Sequence, residues 1–374
     1  MGARRQLSRP ERGESGTELQ AVDLFAGCGG LTLGLRRAGF QMAVAVELDK
    51  AAARTYRFSN RRTHLIVDDV RRVRATRIRG HLQSGPVDLL AGCAPCQGFC
   101  SLTRKHHRSD PRNELLLEMA RLIVGLRPRA VMMENVPGLL TRGSRVFRDF
   151  LERLEAAGYE PSFKILQMAD YGVPQYRRRL VLVAGRGFQI PLPVPTRARA
   201  PRPASDVKPW ATVRSAIGHL SAPVTMSAAR RRSQLRSHNW HVARDLNPQT
   251  KARLRAARPG ETWLDIDEAI RPTCHRAGYS GFSNTYGRMR WDGVSPTITG
   301  GCTTPCMGRF GHPDRRRYAL SVREAALLQT FPEHYYIATN HMSRACDLIG
   351  NAVPPLFAEV VGRQIRSALR AHGK

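Results

Sequence analysis

The chain has 374 residues, which is longer than a chain that folds around one hydrophobic core usually is, and 42% of its residues are hydrophobic. We therefore expect two domains. The sequence contains no apolar run of about 18 residues that could span a membrane. Its eight cysteines are too sparse for a secreted disulfide scaffold. The 60 Lys and Arg against 30 Asp and Glu give a net charge of +30, which indicates an acidic partner such as nucleic acid. A coding bias toward arginine is the alternative source of this excess.

The N-terminal segment, residues 1–18, is polar and rich in arginine, and we predict that it is disordered. It has no apolar stretch of the kind found in signal peptides. Gln6 does not fit the pattern for N-terminal myristoylation. We therefore expect a reduced, cytoplasmic protein without a membrane anchor.

Short apolar runs alternate with amphipathic runs from residue 19 to residue 189. The apolar runs predict buried strands at residues 21–27, 42–49, 64–70, 87–95, 130–136, 163–170 and 178–185. The amphipathic runs predict helices at residues 31–40, 51–56, 114–126 and 146–158. Strands that alternate with helices indicate an α/β fold, with a doubly wound, mostly parallel sheet.

The pattern changes near residue 190, where a segment rich in Pro and Arg suggests a domain boundary. Residues 190–313 show no clear periodicity and predict a second, smaller, loop-rich domain. Helical patterns return at residues 321–332 and 353–373. We therefore expect residues 314–374 to return to the first domain, which begins at residue 19 and ends at residue 189.

A glycine-rich turn follows the first predicted strand. Gly27 and Gly29 would let a ligand approach the backbone closely at the start of a helix. Glu47 ends the next strand twenty residues after Gly27, at the spacing where an acid receives ribose hydroxyls. Asp69, after the third strand, could accept a hydrogen bond from an adenine amino group. This pattern does not separate a dinucleotide from S-adenosylmethionine, and the glycines could also serve only a tight turn.

A second group of candidate residues follows the fourth predicted strand. Cys96 would lie at the carboxyl edge of the sheet, where a thiol can act as a nucleophile. Cys93 and Cys96 could instead form a redox pair, or could bind zinc together with Cys100. Inert burial is the simplest interpretation of the thiols of Cys28, Cys93, Cys100 and Cys346.

Polar side chains also follow the fifth strand and precede the seventh. Glu134 follows a fully apolar strand, where partial desolvation favours a protonated carboxyl and suits a proton donor. Gln175, Arg177 and Arg179 alternate and therefore share one face of a strand. An arginine there can hold a carboxylate, a base carbonyl or a phosphate, although runs of arginine are more often solvated.

Five motifs occur in series along the chain, namely FAGCGG, PCQGF, ENV, QYRRR and GNAVPP. In this order and spacing the sequence resembles the DNA cytosine-5 methyltransferase family. The resemblance covers about residues 20–190 and 310–370. It departs from the family pattern at Cys93 and Ala94, where the family often has Gly or Pro, and at Cys100, where Ser is common.

The resemblance implies a Rossmann-like methyltransferase that depends on S-adenosylmethionine. Cys96 would add to carbon 6 of a flipped-out cytosine, and Glu134 would contact ring nitrogen 3 and the exocyclic amine. Arg179, with Arg177 near it, would hold the base carbonyl and Glu134. The cofactor pocket would be lined by Phe25, Gly27, Gly29, Glu47, Leu48, Asp69, Val70, Pro95, Asn351 and Val353.

By the same resemblance, residues 190–313 correspond to a target-recognition domain that binds double-stranded DNA. The loop of residues 97–113 would close over the DNA through Gln97, Arg104 and Lys105. The groove-facing candidates are Arg288, Arg290, Trp291, Thr297, Thr299 and Thr303. Most of these could equally pack or touch phosphates only. A zinc site from Cys274, His275, Cys302, Cys306 and His312 has irregular spacing, and we expect no metal.

We therefore expect a DNA (cytosine-5-)-methyltransferase that methylates a short specific duplex sequence. It would be a bacterial, nucleoid-associated monomer, either solitary or paired with a cognate restriction endonuclease. RNA methylation is a second possibility, but the variable region is long for a compact RNA-acting enzyme. A DNA-binding protein without activity is a third, and the intact Cys96, Glu134 and Arg179 argue against it.

Overall fold

The computed structural model describes residues 19–82, 85–95, 114–202, 205–231, 239–276 and 281–373. Seven strands form the main sheet, in the order β3-β2-β1-β4-β5-β7-β6. They are β1 Gln20–Leu24, β2 Gln41–Glu47, β3 His64–Val67, β4 Leu89–Gly92, β5 Ala130–Asn135, β6 Tyr159–Gln167 and β7 Arg178–Arg186. The predicted α/β class and all seven predicted strands are confirmed.

The neighbouring strands from β3 to β5 are parallel. β7 runs in the opposite direction, and β6 runs in the same direction as β5. β7 pairs antiparallel with β5 and also antiparallel with β6. Because β7 runs opposite to β4 and β5, its first residues lie at the edge where β4 and β5 end. This arrangement brings the end of β4, the end of β5 and the start of β7 to one edge of the sheet.

Helices cover both faces of the sheet, as expected for a doubly wound fold. The first half of the chain supplies α1 Gly30–Arg37, α2 Lys50–Ser59, α3 Ala75–Arg79, α4 Leu115–Leu126 and α5 Ser144–Ala156. Apolar residues of α4 and α5 pack against one face, in a core that includes Leu116, Met119 and Phe150. The other face is covered by α1 and by the last helix, α11 Pro355–Ala371.

The contact between α1 and α11 requires residues without side chains. A Cβ atom at Gly34 would lie 2.3 Å from the carbonyl oxygen of Pro355, and one at Gly30 would lie 2.4 Å from that of Val353. Both distances are far shorter than atoms tolerate, so only glycine lets the two helices pack this closely. The close approach places the start of α11 beside the turn that leads from β1 into α1.

The middle of the chain is loop-rich, as predicted. Its strands are two residues long, and its helices are short. They are β8 Arg197–Ala198, β9 Lys208–Pro209, β10 Val224–Thr225, β11 Val242–Ala243, α6 Val213–Ile217, α7 Met226–Arg231 and α8 Pro248–Ala256. Two later helices, α9 Val322–Leu328 and α10 Met342–Asn351, share one hydrophobic core with this region. The domain division at residues 189 and 313 therefore stays a proposal, since α9 and α10 contribute to the core of the middle region.

Within the described ranges, no helix has both the length and the apolar character needed to cross a membrane.

Candidate active site

A buried carboxylate lies where three strands of the sheet meet at one edge. Glu134 is on β5, and only 2% of its surface is exposed. Gly92, the last residue of β4, pairs with Met133, so the residue after β4 lies beside Glu134. Arg179, near the start of β7, approaches from the other side. The topology of the sheet therefore surrounds one acid with side chains from two neighbouring strands.

The two oxygens of this carboxylate have different partners. The thiol of Cys93 donates to Oε2 of Glu134 over 2.8 Å. Nε of Arg179 lies 3.2 Å from Oε1 and forms an ion pair with it. The alignment of this ion pair is not that of a hydrogen bond, and no described residue donates a hydrogen bond to Oε1. One oxygen of a buried acid thus remains able to bond with a ligand.

Arg177 does not take part in this arrangement, although the sequence placed it beside Arg179. Its side chain is buried, and its guanidinium donates to the carbonyl oxygens of Ile298, Gly350 and Ala352 at 3.2–3.3 Å. Burial lowers the pKa of Arg177 to about 9. The resemblance predicts Arg177 near Arg179 where that residue holds the base carbonyl and Glu134. The hydrogen bonds of Arg177 instead link the start of β7 to the middle region and to α10, so a catalytic contact for this arginine is not found among the described residues.

Asn135, the residue after Glu134, fixes the chain that leads toward Cys96. Its side-chain amide donates to the carbonyl oxygen of Ala94 over 3.1 Å. Its side-chain oxygen accepts from the backbone of Val136 over 2.8 Å. Four predicted site residues, Cys96, Gln97, Arg104 and Lys105, lie outside the described residues.

The thiol of Cys93 makes a contact that the sequence does not predict. The sequence favours an inert buried thiol at this position, and the structure shows that the thiol donates to Glu134. Burial, followed by the charge of Glu134, raises the pKa of Cys93 well above its usual value, so the thiol stays protonated and can donate. The sequence contains one signal for this contact. Cys93 and Glu134 each come directly after the apolar residues of a strand, and the two strands are neighbours in the sheet.

The glycine-rich turn between β1 and α1 forms a second part of the site. Gly27 and Gly29 have φ angles of 56° and 93°, in the left-handed region that favours glycine. A Cβ atom at Gly27 would meet nothing within 4 Å, whereas one at Gly29 would lie 2.8 Å from a side-chain atom of Asn60. Gly27 therefore borders open space, where another molecule can reach the backbone.

Glu47, at the end of β2, holds this turn in place. Its two oxygens accept from the backbone of Gly27 and of Asp49, each over 2.7 Å. Burial raises the pKa of Glu47, and the two backbone donors oppose that effect. The acid predicted twenty residues after Gly27 therefore also contacts the backbone of that glycine.

Comparison with known proteins decides the family. A profile described as C-5 cytosine-specific DNA methylase matches residues 19–367. The chain is 36% identical to the type II methylase M.HgiDII of Herpetosiphon aurantiacus, over 93% of this chain and 95% of that protein. It is 32% identical to the type II methyltransferase M1.HphI of Haemophilus parahaemolyticus, over 93% of this chain and 86% of that protein.

The chain belongs to the C-5 cytosine-specific DNA methylase family. Solved structures confirm the fold. DNMT2 of Spodoptera frugiperda superimposes with a TM-score of 0.63 at 18% identity, covering 93% of this chain and 99% of that one. This methylase is therefore a DNA cytosine-5-methyltransferase, and S-adenosylmethionine is its methyl donor.

The residues around the glycine turn of the methylase fit an adenosyl cofactor. Open space at Gly27 adjoins the Glu47 carboxylate, whose remaining lone pairs can accept ribose hydroxyls. Leu48 is 61% exposed and presents an apolar side chain next to that acid. Asp69 caps the short helical turn Val70–Arg72 and pairs with Arg71 over 2.7 Å. The carboxylate that we expect to accept a hydrogen bond from an adenine amino group therefore already has a cationic partner.

The other predicted cofactor residues lie in different surroundings. Phe25 has a φ of 59° and lies at the entrance to the glycine turn. Val353 and Val70 are buried, while Asn351 is exposed and Pro95 is half-buried. The Val353 backbone packs directly on Gly30, at the N-terminus of α1. These positions remain proposals as ligand contacts.

Two of the proposed DNA-facing residues of the methylase are in its interior. Arg288 is fully buried, and its guanidinium donates to carbonyl oxygens of Leu254, His312 and Arg317 over 2.6–2.8 Å. It cannot read a DNA groove from there, so this prediction is corrected. Thr303 is also fully buried, beside Cys346.

The remaining candidates are accessible to different degrees. Arg290 is exposed and pairs with Asp292 over 2.8 Å. Thr297 is half-buried, and its hydroxyl donates to the carbonyl oxygen of Tyr176. Thr299 and Trp291 are also half-buried. Exposure alone is compatible with DNA binding and does not assign it.

The cysteines and histidines of the middle region do not converge. Cys274 contacts its neighbour His275, and His312 lies 3.4 Å from Glu324. In the part of the chain that the structure describes, no three His, Cys, Asp or Glu side chains form a group that could hold a metal ion.

Proposed function

We propose that this methylase modifies carbon 5 of cytosine within a short specific sequence of double-stranded DNA, with Cys96 as the nucleophile. The observation that carries the proposal is the environment of Glu134. Oε2 of this buried carboxylate accepts a hydrogen bond from the thiol of Cys93. Oε1 forms an ion pair with Arg179 but accepts no hydrogen bond from the described residues, so it can bond with a ligand. Cytosine offers matching groups, namely ring nitrogen 3 and the exocyclic amine. These groups are accessible together only when the base leaves the duplex.

In the proposed reaction the thiolate of Cys96 forms a bond to carbon 6 of the extruded base, and the double bond between carbons 5 and 6 opens so that carbon 5 becomes electron-rich. Glu134 hydrogen-bonds ring nitrogen 3 and stabilises the positive charge that develops when this nitrogen is protonated. Arg179 keeps the carboxylate in position and can donate to the base carbonyl. S-adenosylmethionine supplies an electrophilic methyl group for carbon 5. Loss of the carbon-5 proton, followed by breaking of the sulfur–carbon bond, regenerates the free Cys96.

The hydrogen bond from Asn135 to Ala94 supports this assignment of Cys96. It ties the segment immediately before Pro95 and Cys96 to the strand that carries Glu134. A nucleophile and an acid that act on one ring must be held in fixed relative positions. The contact between neighbouring strand ends provides such a constraint.

We further propose that Arg290, Thr297 and Thr299 face the DNA, together with Gln97, Arg104 and Lys105. The net charge of +30 supports DNA binding through phosphate contacts, which weaken steeply with salt. A type II modification enzyme would act as a monomer in the bacterial cytoplasm, near the nucleoid, and would have a cognate endonuclease as a functional partner. The similarity to type II methylases supports that role.

Bisulfite sequencing tests the proposal directly. The chain is expressed with a plasmid in a host without cytosine methylation, and the plasmid is sequenced after conversion. We expect protected cytosines at one short recurring sequence, and none with Cys96→Ala. A parallel assay with purified protein compares duplex DNA and transfer RNA as methyl acceptors. Unprotected plasmid DNA, or transfer to RNA alone, would refute the proposal.

A further inference from the structure

The register of the sheet places Cys93 directly beside Glu134. Gly92 pairs with Met133 across parallel strands, so residues 93 and 134 are the next neighbours along the same pair. Side chains at paired positions of neighbouring strands point to the same face. The thiol therefore reaches the carboxylate, and Sγ lies 2.8 Å from Oε2. A glycine at this position, which the resemblance to the family leads us to expect, would provide no such donor.

Two other charged groups influence this pair. Arg179 forms an ion pair with the opposite oxygen of Glu134, and both Arg179 and Arg177 oppose the rise of the pKa of Cys93. Arg177 is directed to backbone carbonyl oxygens instead. Among the described residues, Cys93 is the side chain that hydrogen-bonds to Glu134. Arg179 thus supplies charge, while Cys93 supplies the directional contact that sets the rotation of the carboxylate.

We propose that Cys93 is a positioning residue for Glu134 in this methylase. The inference rests on the proposed function, because it assumes that Glu134 hydrogen-bonds the target cytosine. A thiol donor on Oε2 occupies that oxygen and leaves Oε1 for the base.

Removal of the thiol has one main expected effect. The carboxylate loses the hydrogen bond that fixes its rotation, and kcat falls by about two- to tenfold. The KM for DNA changes less, because Cys93 bonds to Glu134 and is not among the residues that we propose to contact DNA.

The experiment measures kcat and KM across the pH range for wild type, Cys93→Ala and Cys93→Ser. The serine hydroxyl is also a donor, so we expect Cys93→Ser to restore the wild-type profile to within about twofold. Cys302→Ala is the control, since it removes a fully buried thiol in the middle region and should leave the profile in place. Thermal melting establishes that each variant is folded.

A second measurement needs neither cofactor nor DNA. Infrared difference spectra, wild type minus Cys93→Ala, isolate one S–H stretching band. We expect the lowered frequency of a hydrogen-bonded thiol, and an upward shift in Glu134→Gln, because a neutral amide is a weaker acceptor than a carboxylate.

Profiles of Cys93→Ala and wild type that superimpose, or a band at the frequency of a free thiol, would overturn the inference. Absence of methyl transfer by wild type would refute the proposed function instead, while the infrared band would still report the contact. If Cys93→Ala does not fold, Cys93→Ser replaces it as the reference for the infrared difference spectrum. The shift of the S–H band in Glu134→Gln then decides whether Cys93 donates to Glu134.

Discussion

Asp23, on β1, is a buried acid whose protonation should make stability depend on pH. It is fully buried, and Oδ2 accepts a hydrogen bond from Thr32 over 2.6 Å. Oδ1 has no hydrogen-bond partner among the described residues. Burial raises the pKa of Asp23 from 3.8 to about 7, and the nearby charge of Glu47 adds to the effect. The folded protein therefore holds a proton that the unfolded chain releases.

The direction and size of the effect follow from proton binding. Between pH 3.8 and about 7 the folded state binds more protons than the unfolded state, so stability falls as the pH rises. A shift of about three pKa units corresponds to roughly 4 kcal/mol over the whole range. Roughly 3 kcal/mol of this loss falls between about pH 5 and about pH 8.5.

The variant Asp23→Asn should lack this dependence, because its amide cannot ionise while its oxygen can still accept from Thr32. Urea unfolding at about pH 5 and pH 8.5 measures the free energy of unfolding of each protein. We expect wild type to lose about 3 kcal/mol more than Asp23→Asn between the two conditions. Asp292→Asn, at an exposed ion pair, is the control and should follow wild type. Equal losses in wild type and Asp23→Asn would refute the reasoning.

Three further predictions concern the two arginines, the helix contact and the cofactor turn. Arg177→Met should lower the free energy of unfolding by roughly 2–4 kcal/mol, because buried carbonyls lose their donor. Arg179→Met should instead reduce kcat by about 100-fold in methyl-transfer assays of protein that thermal melting shows to be folded, because Glu134 loses its ion pair; a kcat near that of wild type would contradict this role. Gly34→Ala should destabilise the fold by more than about 2 kcal/mol in urea unfolding, because its Cβ would lie 2.3 Å from a carbonyl oxygen of α11. Gly80→Ala, whose nearest neighbours are 3.7 Å away, should be tolerated. Glu47→Gln should weaken the binding of S-adenosylmethionine by about tenfold in calorimetry, and unchanged affinity would exclude Glu47 from the site.

The sequence predicted the elements of the fold better than the contacts of its polar side chains. Apolar periodicity is a local signal, and it located every strand of the sheet. The burial of Arg177 and Arg288 depends on hydrogen bonds to carbonyl groups far along the chain. Arg177 donates to Ile298, and Arg288 donates to Leu254. Local spacing carries no information about such partners. Strand alternation predicts one face for Arg177 and Arg179, but only the folded chain distinguishes a linking arginine from one beside Glu134.

The thiol of Cys93 illustrates a different limit. Its position after β4 was predictable, and so was the position of Glu134 near the end of β5. Their contact depends on β4 and β5 being neighbours with a particular register, which the order of elements along the chain does not specify. Glu47 and Gly27 were predictable as a pair because that motif includes its own geometry.

The packing of α1 against α11 has a consequence for how the protein is made. α1 begins at the turn that we assign to the cofactor, and α11 lies far from it along the chain. During synthesis the ribosome therefore releases the turn and the first sheet strands long before the helix that covers them. Removal of α11 would expose the apolar face of the sheet that it covers, although the residues that we assign to chemistry at Glu134 would all be retained.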